Sequence, residues 1–279
     1  MIADSSAILD ISRLLPQHQS AITFINTKLQ NPSQRELSWL DLACGKGQII
    51  SQLSENIDID NRRKIKYIGY DINPEYTRAA QKIARDLGFV SCGFLHGDMS
   101  SFAKIVESSD FDFVTFTNTV HELIPKVFAN LLVDSLIKLS DCGELFIYDM
   151  ESLQKSELGA LSWSGGEIGQ LLNNLLKVIG TNYKIHPSVW RHSTCQGWTV
   201  VIQREHLHIT NENLISKRSE IITCLNETFD ELIDKRLEKC KKRLQAYQSD
   251  GVETAADEKL KESSLYEFWA LHNAKELHK

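Results

Sequence analysis

The feature that most constrains the fold is an alternation. Short runs rich in β-branched and aromatic residues at 37–42, 65–70, 91–95, 111–117 and 144–148 are separated by helical patterns at about 46–56, 74–87, 101–107 and 124–139. Strands and helices in strict rotation predict a parallel sheet with helices wound on both faces. A helix at 165–179 then leads to two β runs, 183–190 and 198–204, joined by a polar turn that contains Gly197. These read as an antiparallel hairpin. The expected fold is α/β: a mostly parallel, doubly wound sheet ending in an antiparallel hairpin, with N-terminal helices and a C-terminal helical extension.

Residues 4–30 carry helical periodicity, with Ile8, Leu9, Ile11, Leu14 and Leu15 on one face and a break at Pro16. Beyond about residue 206 the composition turns charged and helix-forming. Ile222, Leu225, Phe229, Leu232, Ile233, Leu237, Cys240, Leu244 and Tyr247 recur at steps of three and four, as in one long amphipathic helix or a coiled-coil seam. Ser249-Asp250-Gly251 ends it, and a last helix carries Leu265, Phe268, Trp269 and Leu271. The domains expected are 1–36, 37–209 and 210–279. The apolar stripe must be covered by the domain's own N-terminal helices, by a second copy in a homodimer, or by a partner protein.

Ordinary apolar (42%) and charged (24%) fractions argue against wholesale disorder, and a net charge of −6 argues against a globally basic nucleic-acid binder. A local basic rim from Lys46, Arg62, Arg63, Lys64 and Lys66 keeps RNA open as a partner. The six cysteines form no Cys-x-x-Cys pair and no zinc-ligand spacing, so no metal is expected from them. The sequence starts without a basic-then-apolar leader and has no apolar run of about 18 residues. A reducing, cytoplasmic location away from membranes is the expectation.

Chemistry enters at Asp41-Leu42-Ala43-Cys44-Gly45-Lys46-Gly47, a strand end that becomes a glycine-rich turn opening a helix. Such glycines let the chain bend tightly and let a ligand approach bare backbone. A dinucleotide fingerprint needs a third glycine where this chain has Ile50, so pyrophosphate binding is disfavoured. This segment resembles the first motif of class I S-adenosylmethionine-dependent methyltransferases. Tyr67-Ile-Gly-Tyr-Asp71-Ile72 resembles their second, His96-Gly-Asp98-Met99 the loop after strand three, and Phe111 to Leu123 the strand-four segment. Cys142 to Asp149 resembles the Gly-led fifth strand.

The resemblance implies S-adenosylmethionine as cofactor and, as partner, a methyl acceptor that is a small molecule or a macromolecular side chain; a non-catalytic module that binds the cofactor or a partner protein stays open beside it. It implies that Asp71 grips the ribose hydroxyls, Asp98 meets the adenine amino group, and Met99 and Ile72 lie by the base. Asp41, Ala43, Cys44, Gly45 and Gly47 would form the loop under the cofactor, with Asn118 at its methionine end. Asp41, Asp71 and Asp98 are also ordinary turn formers, and Cys44 suits packing better than nucleophilic attack.

Methyl transfer is a displacement at a carbon already activated by the sulfonium. Holding the reactants in line can supply about 7–11 kcal/mol, against about 10²–10⁴-fold from a general base. Still, His121 follows the fourth strand and could take a proton from the acceptor, with Glu122 orienting it. The chain has Asn118-Thr-Val-His121 where amino-methylating base-flipping enzymes carry a Pro-Pro-aromatic tetrad, and it has no Pro-Cys nucleophile. Those two routes to DNA base methylation are excluded.

Overall fold

The computed structural model describes residues 16–30, 36–152, 157, 159–191, 196–249 and 254–278. The N-terminal apolar face at Ile8 to Leu15 lies outside them. The elements run α1 (Pro16–Leu29), β1 (Leu37–Leu42), α2 (Gln48–Asn56), α3 (Ile59–Arg62), β2 (Ile65–Asp71), α4 (Pro74–Asp86), β3 (Ser91–His96) and α5 (Phe102–Ile105). They continue with β4 (Phe111–Thr117), α6 (Pro125–Lys138), β5 (Leu139–Met150), α7 (Gly165–Ile179), β6 (Ser188–Arg191), β7 (Gln196–Gln203), α8 (Asn211–Ser249) and α9 (Ala255–His278).

The seven strands form one sheet in the order β3-β2-β1-β4-β5-β7-β6. The β3-β2-β1-β4-β5 pairs are parallel, and β6 with β7 is an antiparallel hairpin. The winding reverses between β1 and β4, and a ligand in such a sheet sits beyond the strands' carboxyl ends at that reversal.

By contacts the chain divides into two compact units. One comprises Met1–Thr117, Asp134–Tyr148 and Val201–His208; the other comprises Asn118–Val133, Asp149–Val200 and Ile209–Lys279.

In the first unit, β1 is buried on both faces, as a central parallel strand must be. Trp39 meets Tyr67 edge-on at 4.7 Å, and Phe24 of α1 stacks on Phe113 of β4 at 4.2 Å. The cations read as a basic rim are engaged locally. Lys66 pairs with Glu36, Arg63 with Asp60, Lys64 donates to Asn61, Arg62 donates to the Leu87 carbonyl, and Lys46 sits over the Tyr76 ring.

In the second unit, α8 packs between α7 and α9. Leu225, Phe229, Leu232 and Ile233 are buried, and the Phe229 ring lies 5.0 Å from Trp163 and 6.0 Å from Phe128. Arg236 donates to the Ser162 carbonyl (2.6 Å), pairs with Glu267 (2.8 Å) and lies over Trp163. Within this unit the stripe is covered by α7 and α9, elements that the sequence reading did not name for it.

The first arm of the hairpin is shorter than its residue types predict, starting at Ser188 rather than 183. Asn173 of α7 takes the backbone of Ile185 with its side-chain amide, donating to the carbonyl (3.0 Å) and accepting from the N–H (3.2 Å). Pro187 follows without an N–H to give.

Candidate active site

The turn after β1 needs backbone that L-residues rarely adopt. Ala43, Gly45 and Gly47 have φ of 56°, 53° and 88°. The two glycines do different work. A Cβ on Gly45 would meet nothing within 4 Å, so its backbone faces open space. A Cβ on Gly47 would press on Ile50 Cδ1 at 2.9 Å and Ala80 Cα at 3.2 Å, so this glycine lets α2 close on α4.

Asp71, at the end of β2, ties this turn to its own. Its Oδ2 accepts from the Gly45 N–H (2.9 Å) and its Oδ1 from the Asn73 N–H (2.9 Å). A carboxylate offers about four acceptor positions, so the clasp leaves room for a ligand's hydroxyls. Ile72 beside it is 64% exposed, an apolar surface at the rim. Asp98 caps the short turn that follows, accepting from the Ser100 N–H and hydroxyl on Oδ1. Those bonds hold its carboxyl below the usual range. Met99 is buried beneath the turn.

Asp41 points into the sheet and is 2% exposed. Its Oδ1 accepts from the Thr115 hydroxyl (2.7 Å) and its Oδ2 from the Tyr67 hydroxyl (2.8 Å), while Trp39 Nε1 donates to Thr115 (2.9 Å). Burial pushes its pKa up to about 7 against the hydrogen bonds from Thr115 and Tyr67, and the Asp71 charge adds to the rise. Burial, with the charges of Asp41 and Asp71, drives the Cys44 thiol far up, so it is a packing group and no nucleophile.

In the second unit, Asn118 directly follows β4 with φ 53°, and among the described residues its buried Oδ1 has no hydrogen-bond partner. His121 lies in a 3-10 turn (Val120–Glu122) and is 5% exposed. Its Nδ1 is 2.6 Å from Asp149 Oδ1, and its main-chain N–H donates to Asp149 Oδ2 (2.9 Å). The group that orients the ring is therefore Asp149, where sequence proximity suggested Glu122. Glu122 Oε1 stands 3.9 Å from Nε2, on the ring's other side chain nitrogen, and is exposed. Burial lowers the imidazole's pKa, but the hydrogen bond and charge of Asp149, with the charges of Glu122 and Glu157, outweigh it and the net direction is upward.

Sequence reasoning missed Tyr67, Thr115 and Asp149 as partners. The signal for Asp149 was available: it follows Tyr148, which pairs with Thr117 where β5 lies beside β4.

Residues 33–159 match the family described as "Methyltransferase domain". This stretch is a methyltransferase domain. Its fold is that of the class I, S-adenosylmethionine-dependent enzymes, and S-adenosylmethionine is the cofactor of such a domain. Among solved structures, the chain is similar to the CurJ carbon methyltransferase (14% identity, TM-score 0.51, 67% of this chain and 54% of that one). It is similar in the same way to the DszA carbon methyltransferase (15% identity, TM-score 0.51, 68% of this chain and 53% of that one). The likeness thus spans little more than half the length of either, and at that identity it concerns the fold. No curated protein sequence matches the chain. No helix among the described residues is long and apolar enough to cross a membrane.

Proposed function

We propose that the chain is an active S-adenosylmethionine-dependent methyltransferase. The observation that carries this is the clasp between Asp71 and the Gly45 N–H, set beside a glycine whose face is bare. It leaves an oriented carboxylate at the rim of the sheet next to backbone that a ligand can approach, which suits an adenosyl group. Asp71 would accept from the ribose hydroxyls, Asp98 from the adenine amino group, and Ile72 and Met99 would supply apolar contact to the base. Ala43, Cys44 and Gly47 shape the loop, and Asp41 stiffens it from within the sheet.

When bound, the cofactor supplies a methyl group already activated by its sulfonium. The chain's task is to orient and to exclude water. By their place after β4, Asn118 is proposed to accept from the donor's ammonium through its unpartnered Oδ1, and His121 with Glu122 to serve the acceptor. We further propose residues 37–209 as the methyltransferase region and a reducing, cytoplasmic setting, which the free thiols of Cys44, Cys92, Cys142, Cys224 and Cys240 suit. The local pairing of Lys46, Arg62, Arg63, Lys64 and Lys66 favours an acceptor other than RNA.

Calorimetry of the full chain with S-adenosylmethionine tests the reading. Asp71→Asn places an NH₂ against one of two backbone N–H donors, and affinity should fall at least tenfold. No binding by the wild type, or a change below threefold, would overturn it. Incubating cell extract with the protein and labelled cofactor, then sorting label among protein, RNA and small molecules, identifies the acceptor class.

A further inference from the structure

In the second unit three side chains converge. A ring nitrogen of His121 and one carboxylate oxygen each from Glu122 and Glu157 lie within 4.8 Å of one another, and Nε2 is 3.9 Å from Glu122 Oε1. The imidazole is 5% exposed and both carboxylates face solvent. Asp149, itself buried, holds Nδ1 at 2.6 Å, so the ring is pinned with Nε2 toward the carboxylates. Among the described residues no hydrogen bond satisfies Nε2, because Glu122 Oε1 at 3.9 Å is beyond hydrogen-bonding distance. A pinned ring nitrogen that faces two exposed carboxylates from beyond hydrogen-bonding distance is an arrangement a cation can bridge.

We propose that His121, Glu122 and Glu157 bind a divalent metal ion, with Asp149 orienting the imidazole from behind. A metal-bound histidine almost always gives its other ring nitrogen to a carboxylate or carbonyl, which is what Asp149 supplies. Imidazole and carboxylate oxygens bind such ions at about 2.0–2.2 Å, so donors on one ion stand at most about 4.3 Å apart. Small rotations of the exposed Glu122 and Glu157 side chains close the site, while the ring stays in place. One nitrogen and two oxygens favour Mn²⁺, Fe²⁺ or Zn²⁺ over Mg²⁺ and Ca²⁺, which prefer all-oxygen sets.

Three protein ligands with solvent on one side leave coordination positions open, as in catalytic rather than structural sites. Glu157 also lines a cavity of about 290 Å³ together with Glu151, Ser152 and Ser162. An oxygen-bearing acceptor held there could complete the coordination. That last step rests on the proposed methyltransferase reading; the metal site itself does not.

The test uses the full chain, stripped with EDTA and dialysed. Mn²⁺ is the probe, because thiols compete poorly for it, and binding is read by loss of the free-ion electron paramagnetic resonance signal. One saturable site per chain is expected. Glu157→Gln, an exposed and foldable change, should weaken it at least tenfold. Asp149→Asn should weaken it about 10–100-fold, and His121→Ala should abolish it. Absence of saturable binding up to millimolar Mn²⁺, or equal binding by Glu157→Gln, would overturn the proposal. S-adenosylmethionine calorimetry on the same stripped protein separates the two readings: cofactor binding without a metal site removes only this one.

Discussion

Asp149 grips His121 twice, once at the ring Nδ1 and once at the main-chain N–H, at 2.6 and 2.9 Å. One carboxylate therefore sets both the ring's orientation and the path of the turn that carries it. Breaking a buried charged pair by removing one partner costs about 3–5 kcal/mol. Asp149→Ala should lower the melting temperature markedly. Asp149→Asn keeps the volume but puts an NH₂ against one of two donors. It should cut turnover at least tenfold while S-adenosylmethionine affinity stays within threefold, as calorimetry and a methyl-transfer assay can read. Unchanged turnover would remove Asp149 as a positioning residue.

The two glycines of the β1 turn should fail in opposite ways. Gly45→Ala places a methyl in open space where a ligand is expected, at a φ that costs an L-residue about 1–2 kcal/mol. Ala43 already holds such a φ in the same loop. Stability should drop modestly and cofactor affinity severely. Gly47→Ala adds overpacking against Ile50 and Ala80, worth about 1–3 kcal/mol, so its melting temperature should fall further. Equal affinity losses without a stability difference would contradict this division of labour.

Asp41 should make the fold less stable as pH rises. Its folded pKa, raised to about 7 first by burial, exceeds the value of about 3.9 expected in an unfolded chain. The native state binds a proton that the unfolded state has lost, so the contribution is complete below about pH 4 and gone above about 7. Asp41→Asn mimics the protonated form. Relative to wild type, urea midpoints of the variant should improve between pH 5 and pH 8. A difference that does not vary with pH would refute the assignment.

His18 should have the opposite slope. It is fully buried on α1, its Nδ1 lies 2.6 Å from Gln52 Oε1, and burial lowers its pKa to about 4, with the Gln52 bond pulling weakly the other way. The folded ring stays neutral while the unfolded ring takes a proton near pH 6.5. Its contribution is present above that value and disappears as pH falls through about 4. His18→Leu should flatten the acid limb of the stability profile between those limits, measured as the difference from wild type.

What could be read in advance was what is local. The turn from Asp41 to Gly47 is legible because left-handed backbone demands glycine, and Asp71 because one strand–helix–strand step sets its distance. Asp149 was harder: it lies 28 residues from His121, and Glu122 stood next door as a plausible substitute. Only the pairing of β4 with β5 makes the distant residue the neighbour. The short β6 arm was hidden for a similar reason, since residues 183–187 have strand composition but Asn173 captures the backbone of Ile185. The stripe on α8 announced that it needed cover, yet nothing in its periodicity named α7 and α9 as the source.

That cover makes the tail indispensable to its unit. Phe229 fills the space between Phe128 and Trp163, and Arg236 closes over Trp163 and the Ser162 carbonyl. A chain shortened at residue 208 would turn two large aromatic rings and one side of α7 toward water. The final helices are thus no detachable appendage: trimming them to isolate a minimal catalyst would uncover the core that α6, α7 and the Trp163 segment share with α8.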